Sequence, residues 1–184
     1  EVVFTQNCTH ALNLAVKGCL SAGDHVIVSD LEHNSVLRPL HKLAQQGLIE
    51  YNVAPTSSDP DETVENYRRL LRGNTRLIVA AHGSNVTGRV QPIRRLGQLA
   101  RLKGCLFLVD GAQSAGLLPI SMKKDFIDFL CLPGHKGLYG PSGTGVLITP
   151  HGARMNTLME GGTGSQSQER AQPSLMPDRL ESGT

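Results

Sequence analysis

What this 184-residue sequence lacks narrows its reading early. Charge of one sign is not in excess: 18 Lys plus Arg stand against 16 Asp plus Glu. There is thus no electrostatic footprint for nucleic acid or for an acidic membrane surface. No apolar run approaches membrane-spanning length, and no secretory leader pattern opens the chain. The four cysteines, Cys8, Cys19, Cys105 and Cys131, are scattered, with neither a C-x-x-C pair nor metal-ligand spacing. Cys105 and Cys131 fall in apolar, strand-like runs, where cysteine acts as a small buried hydrophobe, and a reduced, cytoplasmic setting fits. Neither the P-loop nor the dinucleotide fingerprint is present. The chain also lacks an initial Met, starting with Glu1 directly in the run Val2-Val3-Phe4, and it has no helix after Leu180 to Thr184. Both ends read as those of a fragment of a longer protein.

What is there is an alternation of strand-like and helix-like segments, of a length suited to one domain. Short apolar runs at Val2–Phe4, His25–Ser29, Leu48–Val53, Arg76–Ala81, Cys105–Val109, Phe126–Leu130 and Gly145–Thr149 read as strands covered on both faces. Between them, Ala11, Leu12, Ala15, Val16 and Cys19 form a helical stripe, closed by Gly23. Val36, Leu40, Leu43 and Ala44 repeat that pattern as far as Gly47. Val64, Tyr67 and Leu71 mark a third helix after the turn Asp59-Pro60-Asp61. Pro92 suits the first turn of a fourth, with inner face Ile93, Leu96, Leu99 and Ala100. Such an order implies an α/β fold, a mainly parallel sheet sandwiched by helices. It occupies residues 1–160, and residues 161–184, rich in Gly, Ser and Pro, read as a loop or arm.

In open α/β sheets ligands gather at the carboxyl ends of the strands. The polar clusters lie there: Thr5 to Thr9, Glu32-His33-Asn34, His82 to Asn85, Asp110 to Gln113 and Pro133 to Lys136. Lys136, in Gly134-His135-Lys136-Gly137, reads alone as a loop lysine or a point charge for phosphate; a Schiff-base role needs it to face a carbonyl with lowered pKa. The glycines around it allow a close backbone approach to a ligand. Asp110 alone reads as a cap or turn residue; beside a pyridine ring its carboxylate would keep the nitrogen protonated. His33 is either a satisfied polar residue or an imidazole stacked on an aromatic cofactor. Capping accounts for Asn7 and Thr9, although the same helix start can hold an anion.

Taken together these residues reach a known family. Asp110-Gly-Ala-Gln-Ser-Ala-Gly116 followed by Gly134-His-Lys-Gly-Leu-Tyr-Gly-Pro141 resembles class V aminotransferase-like enzymes of the cysteine desulfurase branch. Thr9 to Asn13, Glu32 to Val36, Ser84 to Gly88, Gly161 to Ser165 and Arg179 to Thr184 extend the resemblance over the whole chain. It implies the large domain, in part, of a fold-type-I pyridoxal 5'-phosphate (PLP) enzyme, over 1–160, with 161–184 leading towards a small domain that lies elsewhere. By that resemblance Lys136 binds PLP covalently, Asp110 pairs with the ring nitrogen and His33 stacks on the ring. Asn85 and Gln113 lie by the phenolic oxygen. Cys8, Thr9 and His135 hold the phosphate, and Thr163 reaches the phosphate of a neighbouring subunit in a homodimer.

Three positions depart from the family's pattern: Pro133 where Ser or Thr is common, Cys8 where a small or hydroxyl residue is usual, and His10 where Glu is frequent. Proline offers neither hydroxyl nor N–H, so one phosphate contact is lost or replaced. The implied reaction is the conversion of L-cysteine to L-alanine, with sulfur passed to a cysteine outside this chain and then to an acceptor protein. Other class V chemistry (selenocysteine lyase, aminotransferase, epimerase) and a non-catalytic PLP-binding or dimerisation scaffold are the alternatives. No metal, nucleic acid or membrane is expected.

Overall fold

The structure, a computed structural model, describes residues 1–150, 155–165 and 168–183. The apolar runs become seven strands: β1 (Val2–Thr5), β2 (Asp24–Ser29), β3 (Ile49–Ala54), β4 (Thr75–Ala81), β5 (Leu106–Asp110), β6 (Phe129–Pro133) and β7 (Gly145–Ile148). They form one sheet in the order β1-β7-β6-β5-β4-β2-β3. β7 runs against both of its neighbours, and every other pairing is parallel. The sheet is therefore mainly parallel, as the alternating pattern implied.

Helices α1 (Cys8–Cys19), α2 (Asn34–Gln45), α3 (Pro60–Leu70) and α4 (Ile93–Lys103) cover its two faces. The period of two along each strand divides the core accordingly. Val26, Val28, Leu77, Val79 and Leu108 pack with Leu12, Val16, Val36 and Leu40 of α1 and α2. Ile27, Ile78, Phe107 and Val109 turn the other way, against Tyr67 of α3 and Leu96 and Leu99 of α4. Helix starts follow local chemistry. Asn7 caps α1, its side chain accepting from the His10 amide, and Asp59 caps α3 with Pro60 next. Pro92 is the N-cap residue of α4, which ends on left-handed Gly104 (φ 69°).

One strand is displaced from its expected place. The run Phe126–Leu130 does not form β6, which begins only at Phe129. Phe126 has a positive φ of 57°. Asp128 clamps the entry to the strand: its amide donates to the Phe107 carbonyl at 2.9 Å, and its carboxylate accepts from the Phe107 amide at 2.8 Å. Periodicity could not choose a register inside so long an apolar run; that polar clamp on β5 chose it.

Among the described residues after β7 there is neither helix nor strand. The segment nonetheless returns to the α1 face, where Met155 and Leu180 join the core. The Asn156 amide donates to Gly18 O at 2.8 Å, and Arg179 Nε to Met155 O at 2.8 Å. Thr184, which closes the last sequence motif, lies outside the described residues, as do residues 151–154 and 166–167. No helix among the described residues is long and apolar enough to cross a membrane.

Candidate active site

The parallel strands deliver their carboxyl ends to one edge of the sheet, and a crevice opens there. Its lining draws on every polar cluster singled out above: Cys8 and Thr9; His33; Asn85; Asp110 and Gln113; His135 and Lys136. Each is on the first turns or loop after a different strand, β1, β2, β4, β5 and β6 in turn. Thr163 is not among the lining residues; its hydroxyl instead meets Ser165 Oγ at 3.3 Å.

Asp110 ends β5 with its side chain buried. Its Oδ1 accepts from the Ala112 amide at 2.9 Å and from the Cys8 thiol at 3.6 Å, whereas Oδ2 has no hydrogen-bond partner among the described residues. Burial pushes its pKa up, opposed by those two donors and by the nearby charges of Lys136 and His33. Cys8 itself is driven far above the usual thiol range, first by burial and then by the Asp110 charge. It is therefore a thiol donor to Asp110 and not a thiolate.

His33 caps α2: its Nδ1 accepts from the Ser35 amide at 3.1 Å and lies 2.7 Å from Ser35 Oγ. Ser35 Oγ is in turn 2.9 Å from Thr9 Oγ1. This chain of three side chains joins the starts of α1 and α2 and fixes the exposed imidazole through one nitrogen. Sequence reasoning quoted Ser35 only as part of a motif; a hydroxyl two residues after His at a helix start was the signal for its role.

The Lys136 side chain makes no ion pair or hydrogen bond among the described residues, while its carbonyl accepts from the Tyr139 amide at 2.9 Å. The glycines around it also permit close approaches within the protein. A Cβ on Gly137 would stand 2.2 Å from Ala115 O, and one on Gly134 would stand 2.1 Å from Thr144 Oγ1. Gly137 thereby interlocks the Lys136 loop with the loop after β5, and Gly134 closes the Lys136 loop on its own far end before β7.

Two polar residues behind the crevice went unrecognised. Glu32 and Gln91 are buried, linked through Ser29 and Ala81. Glu32 adjoined the candidate His33, but nothing in its spacing separates a buried Glu from a solvated one.

The donor set suits PLP on three counts. The Cys8 and Thr9 amides at the start of α1 have no acceptor among the described residues, and no acidic residue occupies that first turn, which leaves an anion cradle. Asp110 presents one unpartnered oxygen in a buried setting, as a partner for a pyridinium N–H would. Lys136 brings an unpaired amine to the same crevice.

Comparison with known proteins agrees with this geometry. The family model described as aminotransferase class-V matches residues 1–184. The chain is 35% identical over 166 residues to the putative cysteine desulfurase IscS 1 of Bacillus subtilis, covering 88% of this chain and 43% of that protein. It is 36% identical over 167 residues to the probable cysteine desulfurase of Methanothermobacter thermautotrophicus (88% and 41%). The crystal structure of Escherichia coli cysteine desulfurase CsdA superposes with a TM-score of 0.89 at 30% identity, covering 100% of this chain and 48% of that one. A structure described as SspA in complex with cysteine gives 0.78 at 32% identity (88% and 48%). The chain thus spans less than half the length of these relatives.

Proposed function

This chain belongs to the aminotransferase class-V family, and on that premise we propose that it is the cofactor-binding part of a PLP-dependent cysteine desulfurase. The observation that carries the reading is the meeting of Lys136, Asp110 and His33 with the free amides of α1 in one crevice. Lys136 would hold PLP through its aldehyde. Asp110 would keep a proton on the ring nitrogen, and His33 would lie against the ring. Asn85 and Gln113 would flank the phenolic oxygen. Cys8, Thr9 and His135 would hold the phosphate, completed by Thr163 from a second copy in a homodimer.

When bound, PLP supplies an electron sink for charge developing at the substrate's α-carbon. The chain's own residues do the rest. Asp110, buried and steadied by the Ala112 amide and the Cys8 thiol, would hold the countercharge at the floor of the crevice. The Lys136 amine carries the α-proton of the amino acid. The relatives named cysteine desulfurases, and the neighbour described with cysteine, support L-cysteine as substrate and L-alanine as product. The nucleophile that takes the sulfur lies outside this chain. Cys8, Cys19, Cys105 and Cys131 are all buried, and burial raises each thiol's pKa. A sulfur-accepting protein and a cytoplasmic setting belong to the same proposal.

The test is borohydride reduction of the full-length protein supplied with PLP, followed by peptide mass mapping. A pyridoxyl adduct confined to Lys136, absent in Lys136→Ala, is expected. An unmodified Lys136 in folded protein overturns the reading, and alanine formation from cysteine then separates desulfuration from other class V chemistry.

A further inference from the structure

Glu32 is the buried carboxyl that the reading above leaves without a task. It follows β2, directly precedes His33, and is almost wholly buried. Its side chain folds back between two strand ends: Oε1 accepts from Ser29 Oγ at 2.5 Å and from the Ala81 amide at 2.7 Å. Gln91 braces the same two residues, its Nε2 donating to Ser29 Oγ at 2.8 Å and to Ala81 O at 2.9 Å. Ala81 lines the crevice and pairs in register with Asp110 on β5. Glu32 thus ties the loop that delivers His33 to the strand beside Asp110.

The other half of the knot is unsatisfied. Glu32 Oε2 and Gln91 Oε1 are both buried with no hydrogen-bond partner. Buried acceptors without donors are costly, and a buried anion more so. A proton on Oε2 removes the charge and turns one of those acceptors into a donor. The neighbours favour that proton. Asp110 faces Glu32 from β5 as a like charge, and the Tyr67 hydroxyl of α3 is spent on the Val79 carbonyl at 2.9 Å. The Lys136 ammonium acts on Asp110 and favours its ionised form. Glu32 has only the Ser29 and Ala81 donors to oppose its burial, whereas Asp110 also has the Lys136 charge nearby, and these surroundings favour the negative charge on Asp110.

We propose that Glu32 is a positioning residue that works as a neutral carboxylic acid, tying the His33 loop to the end of β4 and leaving Asp110 the ionised carboxylate of the pair. This rests on the PLP reading above. The direction of titration agrees: burial lifts the Glu32 pKa from 4.5 to about 7, with the Ser29 and Ala81 donors opposing and Asp110 adding to the rise.

The experiment compares wild type, Glu32→Gln and Glu32→Asp in the full-length protein, with two readouts. The first is the thermal midpoint of the cofactor-free protein against pH. A carboxyl that holds its proton more tightly when folded contributes stability that is lost as pH rises from about 4.5 to about 7. The wild-type midpoint should therefore fall relative to that of Glu32→Gln across this window and run parallel above it. The second readout is visible circular dichroism and affinity for PLP. Glu32→Gln, which keeps an acceptor at Oε1 and a donor in place of the proton, should retain wild-type affinity within about twofold. Glu32→Asp, one methylene too short to reach both Ser29 and Ala81, should lose about tenfold and alter the dichroism. Parallel pH curves throughout, a Gln variant as impaired as the Asp variant, or an Asp variant matching wild type would each overturn the proposal. Wild type that binds no PLP would instead overturn the function proposed above, while the pH curves still decide the state of Glu32.

Discussion

Asp110 offers the crevice one carboxylate oxygen because the Ala112 amide and the Cys8 thiol take up the other. Cys8 can play this part only as a thiol, and its burial beside that carboxylate ensures it remains one. The same logic extends to Cys19, raised to about 12 by burial, and to Cys105 and Cys131, raised by burial as well. Iodoacetamide applied to the native protein at about pH 8 should leave all four unlabelled, since the reagent needs an accessible thiolate. All four should label after unfolding. Peptide mass mapping checks this, and native labelling of Cys8 would show that it ionises within the crevice.

At the scale of elements, close approaches between backbones decide more than local propensity does. Gly97 sits in the interior of α4, where alanine is favoured by about 1 kcal/mol. Yet a Cβ there would stand 2.0 Å from Asp125 O and 3.1 Å from the Phe107 ring. Gly97→Ala should therefore destabilise the protein by about 1–3 kcal/mol, an overpacking cost that exceeds the gain in helix propensity. Denaturant unfolding midpoints measure it; a stabilised variant would mean that the loop bearing Asp125 gives way freely. Gly116 and Gly137 mark a second such approach, since a Cβ on Gly116 would stand 2.2 Å from Gly137 O. There the loop after Asp110 and the loop bearing Lys136 are set against one another, so the spacing of the two principal site residues depends on bare backbone.

For the whole molecule, burial and not charge pairing holds the fold. Apolar side chains fill both faces of the sheet. Among the described residues the ion pairs Arg68–Glu65, Arg69–Glu65, Arg72–Glu50 and Arg95–Asp61 all involve solvent-exposed side chains. Exposed pairs contribute at most about 1 kcal/mol each and are screened by salt. The unfolding free energy should therefore change by less than about 1 kcal/mol when sodium chloride rises from about 0.1 M to 1 M. Chemical denaturation in urea at the two salt levels checks this, and a larger loss would mean that buried or networked charges contribute.

The sequence by itself determined the order of elements, the mainly parallel character of the sheet and the polar clusters after β1, β2, β4, β5 and β6 that meet at the crevice. Each of these depends on local signals: apolar period, capping by Asn7 and Asp59, and polar residues placed after apolar runs. Because parallel strands all end at the same edge, placing a residue at a strand end was enough to place it in the crevice. Only the tertiary structure decided the register of β6, which hangs on Asp128 meeting Phe107 on another strand. It also decided what the glycines beside Lys136 accommodate, and that Glu32 is buried between Ser29 and Ala81 while its neighbour His33 is exposed. Those outcomes arise from contacts between segments far apart in the chain, and no period or spacing within one segment encodes them.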